Sequence, residues 1–382
     1  MSGVNPEDYG AFAKYLTKPG KYWMDKLDQT EHDQILGGII KEMLDGKEPS
    51  TGRATAVILG GQSGAGKGGM TANAMTAMGG NGVVIDPDEM RIHHPRYVDY
   101  LKIDPDNAPG LVHPDAKLWA NEVTQYCIEN NYNIISDTTL GNKDWAVDLI
   151  TRLSAQNYEI EVHAIAVKKE ISQEGVRSRY ERAWKKKNDL LEKEADYRKS
   201  IDRCIKKLET TLHATEEKAV RADLESLQRR ADAARKEADE TFPRNVNERA
   251  QNSSYSGLQD TIDELFTNHM GSIGRMVVFE RGNGILADTN SGGNPVEALR
   301  SKRDGKMKPA ELSAMRESMA ETLKWREERI AKLREKANGL ESEEAAVILL
   351  QIAELEEDNK KIATARTDLF KSWLSDLNEV KP

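Results

Sequence analysis

Between residues 55 and 167, four short runs rich in β-branched residues alternate with stretches of helical character. The runs are TAVILGG (55–61), GVVIDPD (82–88), YNIISDTT (132–139) and YEIEVHAIAV (158–167), and the intervening stretches include MTANAMTAM and AKLWANEVTQYCIEN. This alternation predicts βαβ units, hence an α/β fold with a parallel sheet flanked by helices. In such sheets ligands bind beyond the carboxyl ends of the strands. Three of the runs end there in chemically loaded residues: GQSGAGK, DPDE and SDTT.

The first of these ends reads AVILGGQSGAGKGG (56–69), a strand followed by a G-x-x-x-x-G-K loop and a helix. A P-loop of this kind works because successive backbone N–H groups wrap phosphate oxygens and the following helix adds its positive end. Glycine is needed wherever the backbone must approach the phosphate without a Cβ. Gly61, Gln62, Ser63, Gly64, Ala65, Gly66, Lys67, Gly68 and Gly69 are therefore candidates for nucleotide binding, with Lys67 the charge that reaches the β- and γ-phosphates. One position departs from the pattern. The residue after the lysine is normally Ser or Thr, whose hydroxyl holds Mg²⁺, and here it is Gly68. The metal must then be held by water, by Thr71, or by an acid at another strand end, for which Asp137 is the candidate. A chance glycine-rich turn is the plain alternative, and the strand–loop–helix context argues against it.

GVVIDPDEMRIHHPRY places Asp86, Asp88 and Arg91 just after the second strand, with Asp88 and Arg91 candidates for binding substrate. A carboxylate there can accept the proton of a substrate hydroxyl beside the γ-phosphate. The competing reading makes Asp86 a strand-end cap and Asp88 a helix cap. YNIISDTTLGN puts Asp137 and Thr139 at the third strand end, suited to a metal's water shell and to gripping substrate. Further on, GVRSRYERAW sets Arg177, Arg179 and Arg182 on one helix, where positive charge can follow a moving phosphoryl group or simply form surface ion pairs.

Outside this region the pattern is helical. Residues 1–50 read as an amphipathic helical segment with Tyr22, Trp23, Leu27, Ile35, Ile39, Ile40 and Leu44 at helical spacing, and DGKEPSTGRA (45–54) reads as a linker. Residues 185–240 lack Gly and Pro and carry coiled-coil spacing through Ile201, Ile205, Leu208 and Leu212, then Val220, Leu224, Leu227, Ala231, Ala234 and Ala238. The two runs are out of phase across HATEEK (213–218), where Thr215 is a candidate cap, so a helical hairpin is expected. Each arm would be about 25 residues, or roughly 37 Å long. GRMVVFERGNGILADT (274–289) predicts a β-hairpin turning at Gly-Asn-Gly. The expected organisation is thus a helical segment (1–50), a core (55–290) interrupted by the 185–240 hairpin, and a charged helical C-terminal region (291–382).

QSGAGKGG, VIDPDEMRIHHPRY, NIISDTT and SRYERAW together resemble the zeta toxin family of P-loop kinases, over roughly residues 55–184 and 242–290. By position the resemblance implies that Lys67 binds phosphate, that Asp88 is the catalytic base, and that Thr139 contacts substrate, with Asp137 where the family usually has Glu. Arg179 matches the first of two phosphate-stabilising arginines. PRNVNERAQNSSYSG supplies Arg244, with Arg249 as its rival, for the second; Asn247, Gln251 and Asn252 stand where the family has Pro and His-Asp. The family's acidic substrate residue falls near Asn121 or Glu122. The implied activity is transfer of a phosphoryl group from ATP or GTP, with Mg²⁺, to a nucleotide sugar such as UDP-N-acetylglucosamine, which poisons cell-wall synthesis. The family also implies a neutralising antitoxin partner. Relatives that phosphorylate NAD share the strand-end motifs.

Composition narrows the alternatives. A net charge of −9 argues against non-specific nucleic-acid binding, and so mildly against a kinase of polynucleotide ends. No apolar run approaches the roughly 18 residues a membrane span needs, the N-terminal residues lack a secretory pattern, and Cys127 and Cys204 form no cluster. A cytoplasmic protein is expected. A rival reading from another class is a structural protein with a vestigial P-loop. Gly68 favours it, and the set Lys67, Asp88, Asp137 and Arg179 opposes it.

Overall fold

The computed structural model describes residues 25–103, 108–210, 213–243, 246, 248–340 and 342–379. Tyr22, Trp23, Leu212, Arg244 and Asn247 lie outside these residues. The described chain divides into two compact units, one comprising Met1–Val176 with Asn245–Met307 and the other Arg177–Arg244 with Lys308–Pro382.

The first unit is built on a six-stranded sheet in the order β2-β3-β1-β4-β5-β6. Its strands are β1 (Thr55–Gly60), β2 (Gly82–Ile85), β3 (Asn133–Asp137), β4 (Glu159–Ile165), β5 (Arg275–Phe279) and β6 (Ile285–Asp288). All neighbours pair in parallel except β5 and β6, which form the expected antiparallel hairpin. The central strand β1 is buried on both faces, which is why it reads as an unbroken apolar run rather than an alternating one. Ile58, Leu59, Ile134, Ile135, Ile160 and Val162 are all essentially inaccessible. Each such side chain contributes about 1.5–3 kcal/mol by leaving water.

Helix α1 (Gln29–Met43) is followed by α2 (Gly68–Ala77) after β1, the short α3 (Pro87–Met90) after β2, α4 (Tyr97–Ile103) and α5 (Ala108–Glu129) before β3, and α6 (Lys143–Ala155) before β4. Asp28 caps α1 by accepting from the Glu31 backbone N–H at 2.9 Å. The apolar face of α1 reaches the core through Ile39, while His32 stacks on the fully buried Trp119 of α5 with ring centroids 5.3 Å apart. Helix α5 starts well before AKLWANEVTQYCIEN and runs through Pro114.

Helix α7 (Lys169–Leu208) begins in the first unit and continues as part of the second, followed by α8 (Ala214–Glu240). The cap of α8 is His213, not Thr215: the His213 N–H donates to Glu216 at 3.4 Å, and Thr215 is already inside the helix. The two helices run antiparallel, tied by Lys186–Glu237 at 2.9 Å and Arg235–Glu194 at 3.8 Å. Val220, Ala231, Ala234 and Ala238 are buried, whereas Ile205 is 42% exposed, so the stripe on α8 is covered more completely than that on the distal part of α7.

The same unit holds the C-terminal hairpin of α11 (Pro309–Ala337) and α12 (Ser342–Glu379). Ile330, Ala337, Ile348, Ile352 and Leu355 form its apolar seam. The first unit is completed by α9 (Glu248–Asn268) and α10 (Pro295–Asp304). No helix among the described residues is long and apolar enough to cross a membrane.

Candidate active site

Sheet register gathers the site. Leu59 of β1 stands opposite Asp137 of β3, and Ile85 of β2 opposite Ser136. The P-loop, Asp86 and Asp137 therefore leave the sheet at one edge. Thr138 reinforces this alignment, its hydroxyl donating to the Leu59 carbonyl at 3.0 Å.

The loop depends on its glycines for different reasons. Gly64 sits at φ +81°, and a Cβ there would lie 2.1 Å from the Ser172 carbonyl oxygen of α7. Gly175 returns the contact, since its Cβ would meet the Gly64 carbonyl at 2.4 Å. This glycine pair lets the first turns of α7 press directly against the loop. Gly66 adopts φ +104°, which an L side chain rarely tolerates. Gly68 is different: its φ is ordinary and a Cβ would meet nothing within 4 Å.

Behind the loop, Gln62 is fully buried. Its amide donates to the Val167 carbonyl at 3.1 Å and accepts from Arg303 at 3.2 Å. Arg303 is itself buried against the Tyr255 ring, 3.8 Å from its centroid, and burial pulls its pKa below the usual value. Gln251 of α9 donates to the Ser63 carbonyl at 3.3 Å. The glutamine that stands where the resemblance leads one to expect His thus holds the phosphate loop.

At the business side, Lys67 donates to the Gly61 carbonyl at 2.7 Å and lies 3.7 Å from Asp137. Thr71, on the first turn of α2, donates to the other oxygen of Asp137 at 3.0 Å. Asp86 caps α3 by accepting from the Asp88 N–H at 2.8 Å. Burial, then the neighbouring charges of Asp88 and Asp137, push the Asp86 carboxyl up to about 6. Asp88 pairs with Arg91 at 2.5 Å, and the same guanidinium nitrogen donates to His113 Nδ1 at 3.2 Å. Burial, then the Arg91 charge, lowers the His113 pKa, which favours the neutral ring that can accept that bond.

Thr139 follows β3 in a tight turn whose next residue, Leu140, has φ +49°. Its hydroxyl accepts from the Gly141 N–H at 3.3 Å. A left-handed, non-glycine residue costs roughly 1–2 kcal/mol. It is retained here because Leu140 is buried against Gly60, where a Cβ would come within 2.5 Å of its side chain.

The described residues thus bring together Lys67, Thr71, Asp86 and Asp137, with Asp88 and Arg91 one turn beyond Asp86. Glu122 is engaged elsewhere, by His32 Nε2 at 2.8 Å. Asn121 accepts from Trp145 at 3.2 Å. Arg179 and Arg182 belong to the helical unit, where Arg182 lies over the Trp325 ring at 5.7 Å. In that unit Tyr180 and Glu181 are held by Arg329, and Glu181 also by Arg326 at 3.1 Å. Sequence reasoning did not assign Arg303 or the tip of the β5–β6 hairpin to the loop. Nothing in the local pattern marks Arg303. The hairpin tip had one signal, because a fifth parallel strand must end at the same sheet edge as the others.

A parallel sheet with a phosphate loop after its central strand β1 and carboxylates at the ends of β3 and β2 on the same side of it defines the P-loop kinase fold. The family model described as "Zeta toxin" matches residues 40–235, and the chain belongs to that family. Among its relatives, "Toxin zeta" of Enterococcus hirae is 25% identical over 60% of this chain and 81% of that protein. "Toxin zeta" of Streptococcus pyogenes is 27% identical over 48% of this chain and 64% of that protein. A chain from the solved PezAT chromosomal toxin–antitoxin system of Streptococcus pneumoniae shares the fold, with a TM-score of 0.55, 17% identity, and coverage of 78% of this chain and 99% of that one.

Proposed function

We propose that this chain is a kinase that transfers the γ-phosphoryl group of ATP or GTP to a hydroxyl of a nucleotide sugar of the UDP-N-acetylglucosamine type. Its toxicity would follow from depletion of cell-wall precursors, and an antitoxin would restrain it in its own cell. The observation that carries the kinase reading is the register Leu59–Asp137 and Ile85–Ser136, which sets Lys67, Asp86 and Asp137 at one sheet edge. Membership of the zeta toxin family supports the acceptor class.

In this reading the loop amides and Lys67 hold the β- and γ-phosphates, and Lys67 exchanges its contacts with Gly61 and Asp137 for phosphate oxygens. Asp88 accepts the proton of the acceptor hydroxyl as its oxygen attacks the γ-phosphorus and the bond to the β,γ-bridging oxygen breaks, releasing ADP or GDP, and Arg91 fixes the carboxylate. Thr139 contributes a hydroxyl to the acceptor, and the resemblance alone assigns the acidic substrate residue near Asn121 or Glu122, the latter bound to His32. Arg179 and Arg244 are assigned by the resemblance to stabilise the transferring group.

The residues present fit a magnesium ion. Thr71 and Asp137 form a bonded hydroxyl–carboxylate pair, and Asp86 is a half-buried carboxylate whose proton affinity is raised by partial burial and then by the negative charges of Asp88 and Asp137. Mg²⁺ is commonly held by one or two carboxylates together with water and phosphate oxygens. When bound, it neutralises charge on the β- and γ-phosphates. Thr71 and Asp137 would hold it, with Asp86 alongside. A transfer assay with ATP or GTP and a panel of UDP-sugars and NAD tests the reading. Turnover of a UDP-sugar that disappears in Lys67→Ala and Asp88→Ala supports it; undiminished turnover in both variants ends it.

A further inference from the structure

The β5–β6 hairpin ends at the phosphate loop. Phe279 of β5 stands opposite Ile165 of β4, and the Ala166 N–H donates to the Phe279 carbonyl at 2.8 Å. Ile165 in turn abuts Gly61, where a Cβ would meet its Cγ2 at 2.3 Å. The hairpin turn is closed by Glu280 N–H to Gly284 O at 2.7 Å and Asn283 N–H to Glu280 O at 3.1 Å. Gly282 and Asn283 both take positive φ, +93° and +69°.

The tip touches the loop at two glycines. A Cβ at Gly66 would lie 3.6 Å from both Cγ and Nε of Arg281, and one at Gly69 would lie 2.9 Å from Oδ1 of Asn283. The Asn283 side chain thus lies directly over Gly69. The nearby Glu280 is paired with Lys302 at 2.9 Å. Among the described residues Arg281 has no ion pair or hydrogen bond, and it is exposed.

An arginine beside a loop that already carries Lys67 and a helix N-terminus is electrostatically unfavourable until an anion arrives. Lys67 has Asp137 within 3.7 Å; Arg281 has no such counter-charge among the described residues. We propose that Arg281 is a further nucleotide-binding residue: it grips the triphosphate of the nucleotide seated in the loop, while Asn283 fixes the hairpin tip over Gly69. This rests on the reading of the loop as a nucleotide site. Guanidinium–phosphate pairing is charge-assisted and directional, which suits an arginine better than a lysine here.

The test is ATP affinity by calorimetry of the full chain at low and high salt, for the wild type, Arg281→Ala, Arg281→Lys and Lys67→Ala, with thermal melts of each. Expected is a loss of about tenfold in Arg281→Ala, a smaller loss in Arg281→Lys, a gap that narrows at high salt, and unchanged melting. Arg281→Ala binding within twofold of the wild type, or a loss indifferent to salt, overturns the proposal. If that happens while Lys67→Ala has lost binding, the loop remains the nucleotide site and only Arg281 is excluded. If Lys67→Ala binds as the wild type does, the site reading falls with it.

Discussion

The Thr71 hydroxyl donates to Asp137 at 3.0 Å, on the first turn of the helix that follows Lys67. The oxygen that a P-loop normally carries directly after its lysine is thus found three residues later, already bound to a carboxylate of the neighbouring strand. Gly68 is open on every side, so its lack of a side chain is not imposed by packing. Gly68→Thr is expected to fold normally and to lower the Mg²⁺ concentration for half-maximal activity several-fold, while Thr71→Val raises it. A magnesium titration of the two variants checks this, and identical curves would refute it. Gly64→Ala marks the contrast. At φ +81° and 2.1 Å from the Ser172 carbonyl, it should cost more than about 2 kcal/mol of stability.

Asp86 links the site to pH. Its folded-state pKa, about 6, lies above the ordinary 3.8. A raised carboxyl favours folding below the unfolded value and loses that contribution as pH rises through the folded value. The ligand-free protein should therefore lose stability between about pH 4 and pH 6 and then level off. Asp86→Asn keeps the acceptor that caps α3 and removes the charge. It should raise stability at pH 8 by about 2 kcal/mol, after a discount for residual solvent contact, while lowering transfer activity. Melting curves across this range decide it; an equal loss of stability at pH 4 and pH 8 would count against the charge argument.

Arg91 stands between Asp88 and His113. Removing it frees the carboxylate to adopt other rotamers, and misplacement of a reacting group costs roughly 10- to 100-fold in rate. Arg91→Ala should lower kcat by that order and leave the KM for ATP unchanged. His113→Ala should show a smaller fall in the same direction. A change confined to the nucleotide KM would argue against this assignment.

In the helical unit, Arg326 joins Glu181, at 3.1 Å, to Asp358, at 2.5 Å. Glu181 is buried, and burial raises its pKa despite Arg329 and Arg326 beside it. Arg326→Ala leaves a buried carboxylate short of a partner and should destabilise by about 3–5 kcal/mol. Arg326→Ala with Glu181→Gln should recover part of that loss, because the unpaired charge is gone. Denaturant unfolding of the single and double variants measures the recovery.

Much of the core was legible because strands that are buried on both faces must be apolar and short. TAVILGG, YNIISDTT and their neighbours announce themselves, and each strand end names the loop that follows it. The helical hairpin was legible for a different reason, the 4-3 spacing of its apolar residues along one face of each helix. Its cap was misread at Thr215, because propensity favours threonine whereas the observed N-terminus places His213 opposite Glu216.

Residues that act on the site from a distance in sequence were not legible. Gln251, Arg303 and Arg281 come from the first turn of one helix, the last turn of another and a hairpin tip, each more than a hundred residues beyond the loop they touch. By itself, the sequence determined which segments are strands and helices, and that phosphate-binding and acidic residues end the strands, because those properties are periodic or local. Tertiary structure alone decided which strand lies beside which. Register sets Leu59 opposite Asp137 and Ile165 opposite Phe279, and so gathers Thr71, Asp137, Lys67 and Arg281 around one loop. Such pairings follow from packing the whole sheet, and no local stretch of residues encodes them.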